Sequence, residues 1–322
     1  MESRATGRAQ PARGGAAPIE TILAHLSDLH VTPIRVRGVG DVANKRVLGW
    51  LSWLRRRRHE HRPEILDALL EDLGETAPHH VAVTGDLTNV GLPDEIEGAV
   101  PWLARLGGPE RVSIVPGNHD AYAAPIDAER FASWSPYLRG GEPAPGGALR
   151  FPYCKRVAGL ALVGLSSALP TPPGFATGEL GREQLERLDA LLAGLADASE
   201  PRVVLVHHPP VAAGQSRRRQ LSDAAELRSV LARRGADLVI HGHTHRTSFE
   251  AVEGPDGSIP VVGVPSSSAR GASPGRRARY HLYRFEPVAR VESGTPRFRI
   301  TCRVRALQPG AARFSAADEH VL

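Results

Sequence analysis

A chain of 322 residues with 41% hydrophobic content is long and apolar enough to bury a substantial core. Its formal charge of +5 comes largely from Arg-rich runs in the N-terminal tail, at Arg55–Arg58 and at Arg217–Arg219, so it does not imply specific nucleic-acid binding. Two cysteines argue against a disulfide framework, and no apolar run reaches the roughly 18 residues of a membrane span, so a cytoplasmic protein is expected.

Residues 1–18 lack hydrophobic periodicity and are expected to be a disordered tail. A single domain over 19–305 follows, then a second tail over 306–322. Thr21–Leu26 reads as the first strand and runs into Ser27-Asp28-Leu29-His30, which sets an oxygen and a nitrogen ligand two residues apart. Residues 44–62, NKRVLGWLSWLRRRRHEHR, form a basic insertion in which Val47, Trp50, Leu51, Trp53 and Leu54 recur at helical spacing. Three readings stay open for Val47–Arg58. It lies on an anionic membrane as a peripheral contact, it grips an anionic substrate, or it packs its Trp residues on the core with the Arg residues solvated.

Pro63 suits the first turn of a helix carrying Ile65, Leu66, Leu69, Leu70 and Leu73, with Gly74 at its end. Val81–Val83 is the next strand, and Thr84-Gly85 breaks it so that Asp86 stands at its carboxyl end. A helix is expected between Gly91 and Gly107, bent or interrupted by Pro101. Strand Val112–Val115 leads into GNHD, Pro125 opens a helix carrying Phe131 and Trp134, and Gly140–Gly147 is a loop. Phe151–Val157 and Leu160–Ser166 pair as strands, and Gly181–Leu195 forms a helix. Strand Val203–Val206 runs into HHP, a helix extends from Ser222 as N-cap to Gly235, and strand Leu238–Ile240 precedes HGHTH. Strands at Ser248–Val252, Ile259–Val264, Arg279–Phe285 and Arg297–Val304 complete an α/β body as the C-terminal part of its second sheet.

Five strand ends thus present Asp28, His30, Asp86, Asn118, His119, His207, His208, His243 and His245. Ligands gather at the carboxyl ends of strands in open α/β sheets. Carboxylate, amide and imidazole donors without thiolate suit borderline divalent ions such as Mn, Fe or Zn.

Taken together, DLH at 28–30, GDLTN at 85–89, GNHD at 117–120, HHP at 207–209 and GHTH at 242–245 resemble the calcineurin-like metallophosphoesterases. TGDLTN at 84–89 and GELGREQLERL at 178–188 are similar to the cyclic-nucleotide phosphodiesterase branch. The resemblance implies a four-layer α/β/β/α sandwich around a dinuclear metal centre. By motif, Asp28, His30 and His245 hold one ion, Asn118, His207 and His243 the other, and Asp86 bridges both. A hydroxide shared by the two ions is then the nucleophile and His119 the general acid, while Asp120 and His208 support the site.

Where the protein-phosphatase members carry GDxxDRG and GNHE, this chain has Asn89 and Val90 at the Asp-Arg positions and Asp120 after GNH. The missing Arg removes a phosphate-gripping guanidinium. UDP-diacylglucosamine pyrophosphohydrolases usually carry Arg where His119 stands. The expected function is a dimetal-dependent phosphoesterase acting on a small phosphodiester such as a cyclic nucleotide. The alternative is a membrane-associated hydrolase of a phospholipid or lipid-linked pyrophosphate, and a silent binding protein is third. Nothing in the sequence fixes the oligomeric state.

Overall fold

The computed structural model describes residues 21–42, 44–139, 149–212, 214–271, 273–288, 297–310 and 312–322; the expected N-terminal tail and the loop at Gly140–Gly147 lie outside them. β1 (Thr21–Leu26) is followed by the short helices α1 (Val39–Val42) and α2 (Arg46–Ser52), a π-helical turn at Trp53–Arg57, and α3 (Arg58–Glu60). Then come α4 (Pro63–Thr76), β2 (His80–Val83), α5 (Pro93–Leu106) and β3 (Val112–Ile114). The hairpin of β4 (Tyr153–Val157) and β5 (Leu160–Gly164) opens a second sheet. It continues through α6 (Arg182–Gly194), β6 (Arg202–Val206), α7 (Ala224–Arg234), β7 (Leu238–His241), β8 (Ser248–Gly254) and β9 (Gly257–Gly263). β10 (Arg279–Pro287), β11 (Phe298–Leu307) and β12 (Phe314–Val321) return to the first sheet. The strand orders are β12-β11-β10-β1-β2-β3 and β4-β5-β6-β7-β9-β8.

Parallel strands covered on both faces read as unbroken apolar runs, and alternate residues then face different layers. In the second sheet Leu160, Leu162, Val203, Leu205, Leu238 and Ile240 join the core shared with the first sheet. Their neighbours Ala161, Val163, Val204, Val206 and Val239 pack instead with Leu188 of α6 and Leu231 of α7. Helices α4 and α5 bury Leu69 and Leu103 against the first sheet. The layers are therefore α4/α5, sheet, sheet, α6/α7, the four-layer sandwich expected.

Several local expectations need correction. The C-terminal strands do not all complete the second sheet: β8 and β9 do, but β10 pairs antiparallel with β1, and β11 and β12 extend that edge. Residues 314–321, expected as tail, form β12, because Phe314 is buried and the backbone pairs with β11. α5 runs through Pro101, which lies on the exposed face, so the carbonyl it leaves without a partner can turn to water. No helix opens at Pro125. Asp127 takes the Arg130 N–H with its side chain, Pro136 follows, and only a 3-10 turn at Ala132–Trp134 forms. α7 is preceded by Asp223 rather than capped by Ser222, and the Asp223 carboxylate accepts from Leu180 N and Gly181 N.

One buried network ties the outer helix layer to the added strands. Asp72 on α4 accepts from Arg305 of β11 through both carboxylate oxygens, Nε at 2.9 Å, and from the Tyr280 hydroxyl of β10. Breaking a buried pair strands the remaining charge. Asp72→Ala is expected to lower the unfolding free energy by about 3–5 kcal/mol, read by urea denaturation; a loss within error of zero would show that α4 is held by apolar packing alone.

Candidate metal centre

β1, β2 and β3 run parallel, as do β5, β6, β7 and β9, so ligand-bearing loops from both sheets leave at carboxyl ends. Backbone bonds knit these loops together: Asp28 N donates to Gly85 O and His30 N to Asp86 O, each at 3.0 Å, and Gly242 N donates to His207 O. Asp28, His30, Asp86, His243 and His245 all have positive φ, between 44° and 65°. Left-handed backbone is uncommon for residues with a side chain and clusters where surrounding structure holds a site in place. Gly242 permits the tightest approach, since a Cβ there would run into Ser27 Oγ and Asp28 Oδ2.

Backbone carbonyls fix which nitrogen of each imidazole faces the site: a carbonyl can only accept, so the ring nitrogen bonded to it carries a proton and the other is turned inward. His30 Nδ1 donates to Thr88 O at 2.7 Å and His207 Nδ1 to Thr84 O at 2.6 Å, which turns both Nε2 atoms into the site. His243 is turned over: Nε2 donates to Arg219 O at 2.9 Å, and its inward Nδ1 lies 2.9 Å from Asn118 Oδ1. His207 Nε2 lies 3.1 Å from that same amide oxygen and 3.4 Å from Asp86 Oδ2. Across the site, His245 Nε2 faces Asp28 Oδ1 at 3.1 Å.

Ligand atoms of Asp28, His30 and His245 lie within 4.8 Å of one another, and so do those of Asp28, Asp86 and His207. All seven predicted ligands converge, and Asn118 points its oxygen among the second group. Asp28 Oδ1 is buried and faces no donor but the ring of His245, itself a predicted ligand, as expected of an atom meant for a cation. Burial alone would push Asp28 up, but the facing His245 holds it below the usual carboxylate range. Burial likewise opposes charge on His207, yet Asp86 lifts it to about 9. Burial keeps His30 and His243 down at about 3, in the neutral form a metal ligand needs. The donor set therefore fits two divalent ions.

The neighbours divide by what they touch. Asp120 Oδ2 accepts from Asp86 N and Gly117 N, both at 2.9 Å, and Oδ1 from Thr88 N and Oγ1 at 3.0 Å, so it fixes the loops rather than orienting His119. His208 has both nitrogens engaged, Nδ1 with Ser167 Oγ and Nε2 with Ala176 O, and its ring rests 4.3 Å from that of His243. His119 Nδ1 donates to Asn89 O at 2.5 Å, which leaves Nε2 bare, and burial with the nearby Arg57 holds its pKa down at about 3.

Sequence reasoning overlooked three contributors. Glu95 is buried and accepts from Asn89 N, Val90 N and Leu92 N, shaping the loop that carries Asn89. His61 packs its ring 4.5 Å from that of His30 and pairs through Nδ1 with Ser268 Oγ. Arg57, not singled out from the basic run and solvated in its packed reading, brings Nη1 to 3.0 Å from His119 Nδ1. The only signal was the polar end of the basic run, RRRRHEH. Trp50 and Trp53 of that run pack beside Ile34, Val90, Leu92 and Tyr122. Among the described residues no helix is long and apolar enough to cross a membrane.

The family model described as calcineurin-like phosphoesterase matches residues 22–247. A protein of Synechococcus sp. named "Probable cyclic nucleotide phosphodiesterase" is 26% identical over 223 residues, covering 68% of this chain and 77% of that protein. A glycerophosphodiester phosphodiesterase of Enterobacter lignolyticus is 29% identical over 199 residues, covering 61% of this chain and 59% of its own length. Among solved structures, a dimetal phosphatase from Danio rerio superposes with a TM-score of 0.56 at 13% identity, covering 92% of this chain and 98% of the other.

Asp86 is fully buried between the two donor groups, and Asn at this position keeps its shape while removing its charge. Asp86→Asn is expected to leave at most one of the two ions bound after dialysis, by elemental analysis, with circular dichroism unchanged. Two tightly held ions in the variant would remove Asp86 from the shared position.

Proposed function

Because the chain belongs to the calcineurin-like phosphoesterase family, whose members are metal-dependent phosphoric ester hydrolases, we propose that it cleaves a small phosphodiester such as a cyclic nucleotide. The observation that carries the reading is the set of imidazole nitrogens turned inward, each fixed by a carbonyl behind the ring, around two buried carboxylates. Support for a diester comes from the two relatives, both named as phosphodiesterases. It also comes from the Asn89-Val90 pair, whose backbone N–H groups donate to the Glu95 carboxylate and whose Asn89 amide donates to Thr32 O, in place of the Asp-Arg of protein phosphatases.

Two divalent ions, when bound, supply Lewis acidity and a water acidic enough to attack phosphorus near neutral pH. Asp28, His30 and His245 would hold one, Asn118, His207 and His243 the other, with Asp86 common to both. The carbonyls of Thr84, Thr88 and Arg219 keep the imidazoles turned inward, and Asp120 keeps Asp86 in register through its backbone N–H.

His119 is suited to carry a proton rather than to start with one. Its neutral ring offers Nε2 as an acceptor, so it can take the proton that the attacking water gives up. It then returns that proton to the leaving alkoxide as the P–O bond breaks. A substrate anion in the site offsets the repulsion that the resulting imidazolium meets from Arg57. A lipid-linked substrate draws less support, since Trp50 and Trp53 pack beside the Ile34–Val90–Leu92 cluster instead of standing free.

Purified protein loaded with Mn is expected to hydrolyse a bis-aryl phosphate; inactivity across Mn, Fe and Zn would sink the enzymatic reading. His119→Ala should lower kcat about 100- to 10,000-fold on alkyl diesters and far less on aryl diesters, whose leaving groups barely need a proton. Equal losses on both would take proton transfer away from His119.

A further inference from the structure

Four consecutive arginines at 55–58 would read as a solvated run, and three of them are exposed. Arg57 is not. The segment reaches it through a π-helical turn in which Arg58 N–H bonds to Trp53 O, five residues back, and such turns are frequent at functional sites. The wider turn takes Arg57 off the exposed face and aims it at the metal centre.

The segment is held at both ends. Lys45 Nζ donates to Thr171 O at 2.6 Å, and Arg46 donates to Val90 O and Gly91 O. Gly49 lets α2 lie directly on Val90 and Tyr122, where a Cβ would collide. At the far end Arg270 N donates to Glu60 O, Gly271 N to the Glu60 carboxylate, and His61 bridges to Ala269. Arg57 thus stands on a fixed platform.

Its guanidinium has no carboxylate within 4.0 Å among the described residues, unlike Arg202 or Arg305 elsewhere in the fold. His119 Nδ1, 3.0 Å from Arg57 Nη1, already carries a proton donated to Asn89 O, so it offers Arg57 no acceptor. A planar guanidinium with free N–H groups beside a phosphoester site is matched by phosphate oxygens.

Charge extends the argument. Two divalent ions less Asp28, Asp86 and the nucleophile's negative charge leave about one positive charge, enough for a singly charged diester. Arg57 adds another. We propose that Arg57 binds an anionic oxygen of the substrate phosphate, and that through it the centre accepts doubly charged phosphates, monoesters included, as well as singly charged diesters. The inference rests on the phosphoester reading above. Arg57 restores, from a different part of the chain, the guanidinium that Val90 leaves out of the GDxxDRG position.

The test uses the full chain loaded with Mn and compares wild type, Arg57→Ala, Arg57→Lys and Arg56→Ala. The substrates are p-nitrophenyl phosphate and bis(p-nitrophenyl) phosphate, which share a leaving group and differ in charge; inorganic phosphate binding is followed by calorimetry. Arg57→Ala should weaken inorganic phosphate about 10- to 100-fold. It should also lower kcat/KM on the monoester by at least about tenfold more than on the diester, with Arg57→Lys in between. Arg56→Ala removes the same charge from an exposed position and should change neither.

Equal losses on the two substrates with unchanged phosphate affinity would overturn the proposal, as would an Arg56→Ala effect as large as that of Arg57→Ala. Should Arg57→Ala fail to fold, Arg57→Gln carries the same comparison. Wild type that binds phosphate through Arg57 yet hydrolyses neither ester would sink the phosphoester reading and leave the anion site standing. Normal diester hydrolysis with no effect of Arg57→Ala on phosphate would do the reverse.

Discussion

Two carboxylates, Asp28 and Asp86, are buried side by side at the ends of neighbouring parallel strands, and positive charge must meet them there. In water each would be solvated; inside the protein each would be driven to protonate unless a cation faced it. The facing imidazoles of His207 and His245 show the demand by being drawn up in pKa against their own burial. Ligand spacing, left-handed backbone and carbonyl-locked imidazoles all follow as ways of concentrating donors around that pair.

Not every buried acid plays this part, and hydrogen bonds separate the kinds. Asp120 and Glu95 are as buried as Asp86, but their oxygens are filled by backbone N–H groups of the loops around the site. Asp72 is filled by Arg305 and Tyr280 on the far side of the first sheet. Asp28 and Asp86 instead give one oxygen each to a backbone N–H, of His243 and His119, and turn the other toward the imidazoles of His245 and His207. The same division separates His30, His207 and His243, each with one nitrogen on a backbone carbonyl and the other turned into the site, from His208, whose nitrogens meet Ser167 and Ala176.

Much of this was legible in the sequence. An apolar run of strand length ending in Gly-Asp, Gly-Asn-His-Asp or Gly-His-Thr-His carries its own account of why ligands gather at strand ends, and the seven candidate donors, assigned through the family resemblance of those motifs, come together in the fold. What stayed hidden was long-range. The residue pattern of an antiparallel strand reports which of its faces are covered and not which strand it pairs with, so the sequence of β10 and β11 could not show that they flank β1 instead of β8. Phe314 is the one large apolar residue of its strand, and the rest of β12 is held by backbone pairing with β11, which leaves no hydrophobic pattern to read. The role of Asp120 depends on N–H groups of the loop after β2 as well as of its own loop, and the direction of Arg57 on a π turn that no periodicity announces.

The place of the basic segment in the chain explains why it overlies the centre. β1 and β2 are adjacent and parallel, so the chain leaves β1 at the ligand end and must return to the opposite end before β2 begins. α4 makes that return journey against the sheet. Whatever is inserted before α4 therefore stays at the end where Asp28 and His30 stand. A basic run placed directly after DLH falls over the metal centre by connectivity alone, with no membrane required to explain its charge. The packing of Trp50 and Trp53 fixes its height, and the π turn selects which of four arginines faces inward. In this chain the phosphate-gripping guanidinium has moved from the β2 loop to the crossover between β1 and β2.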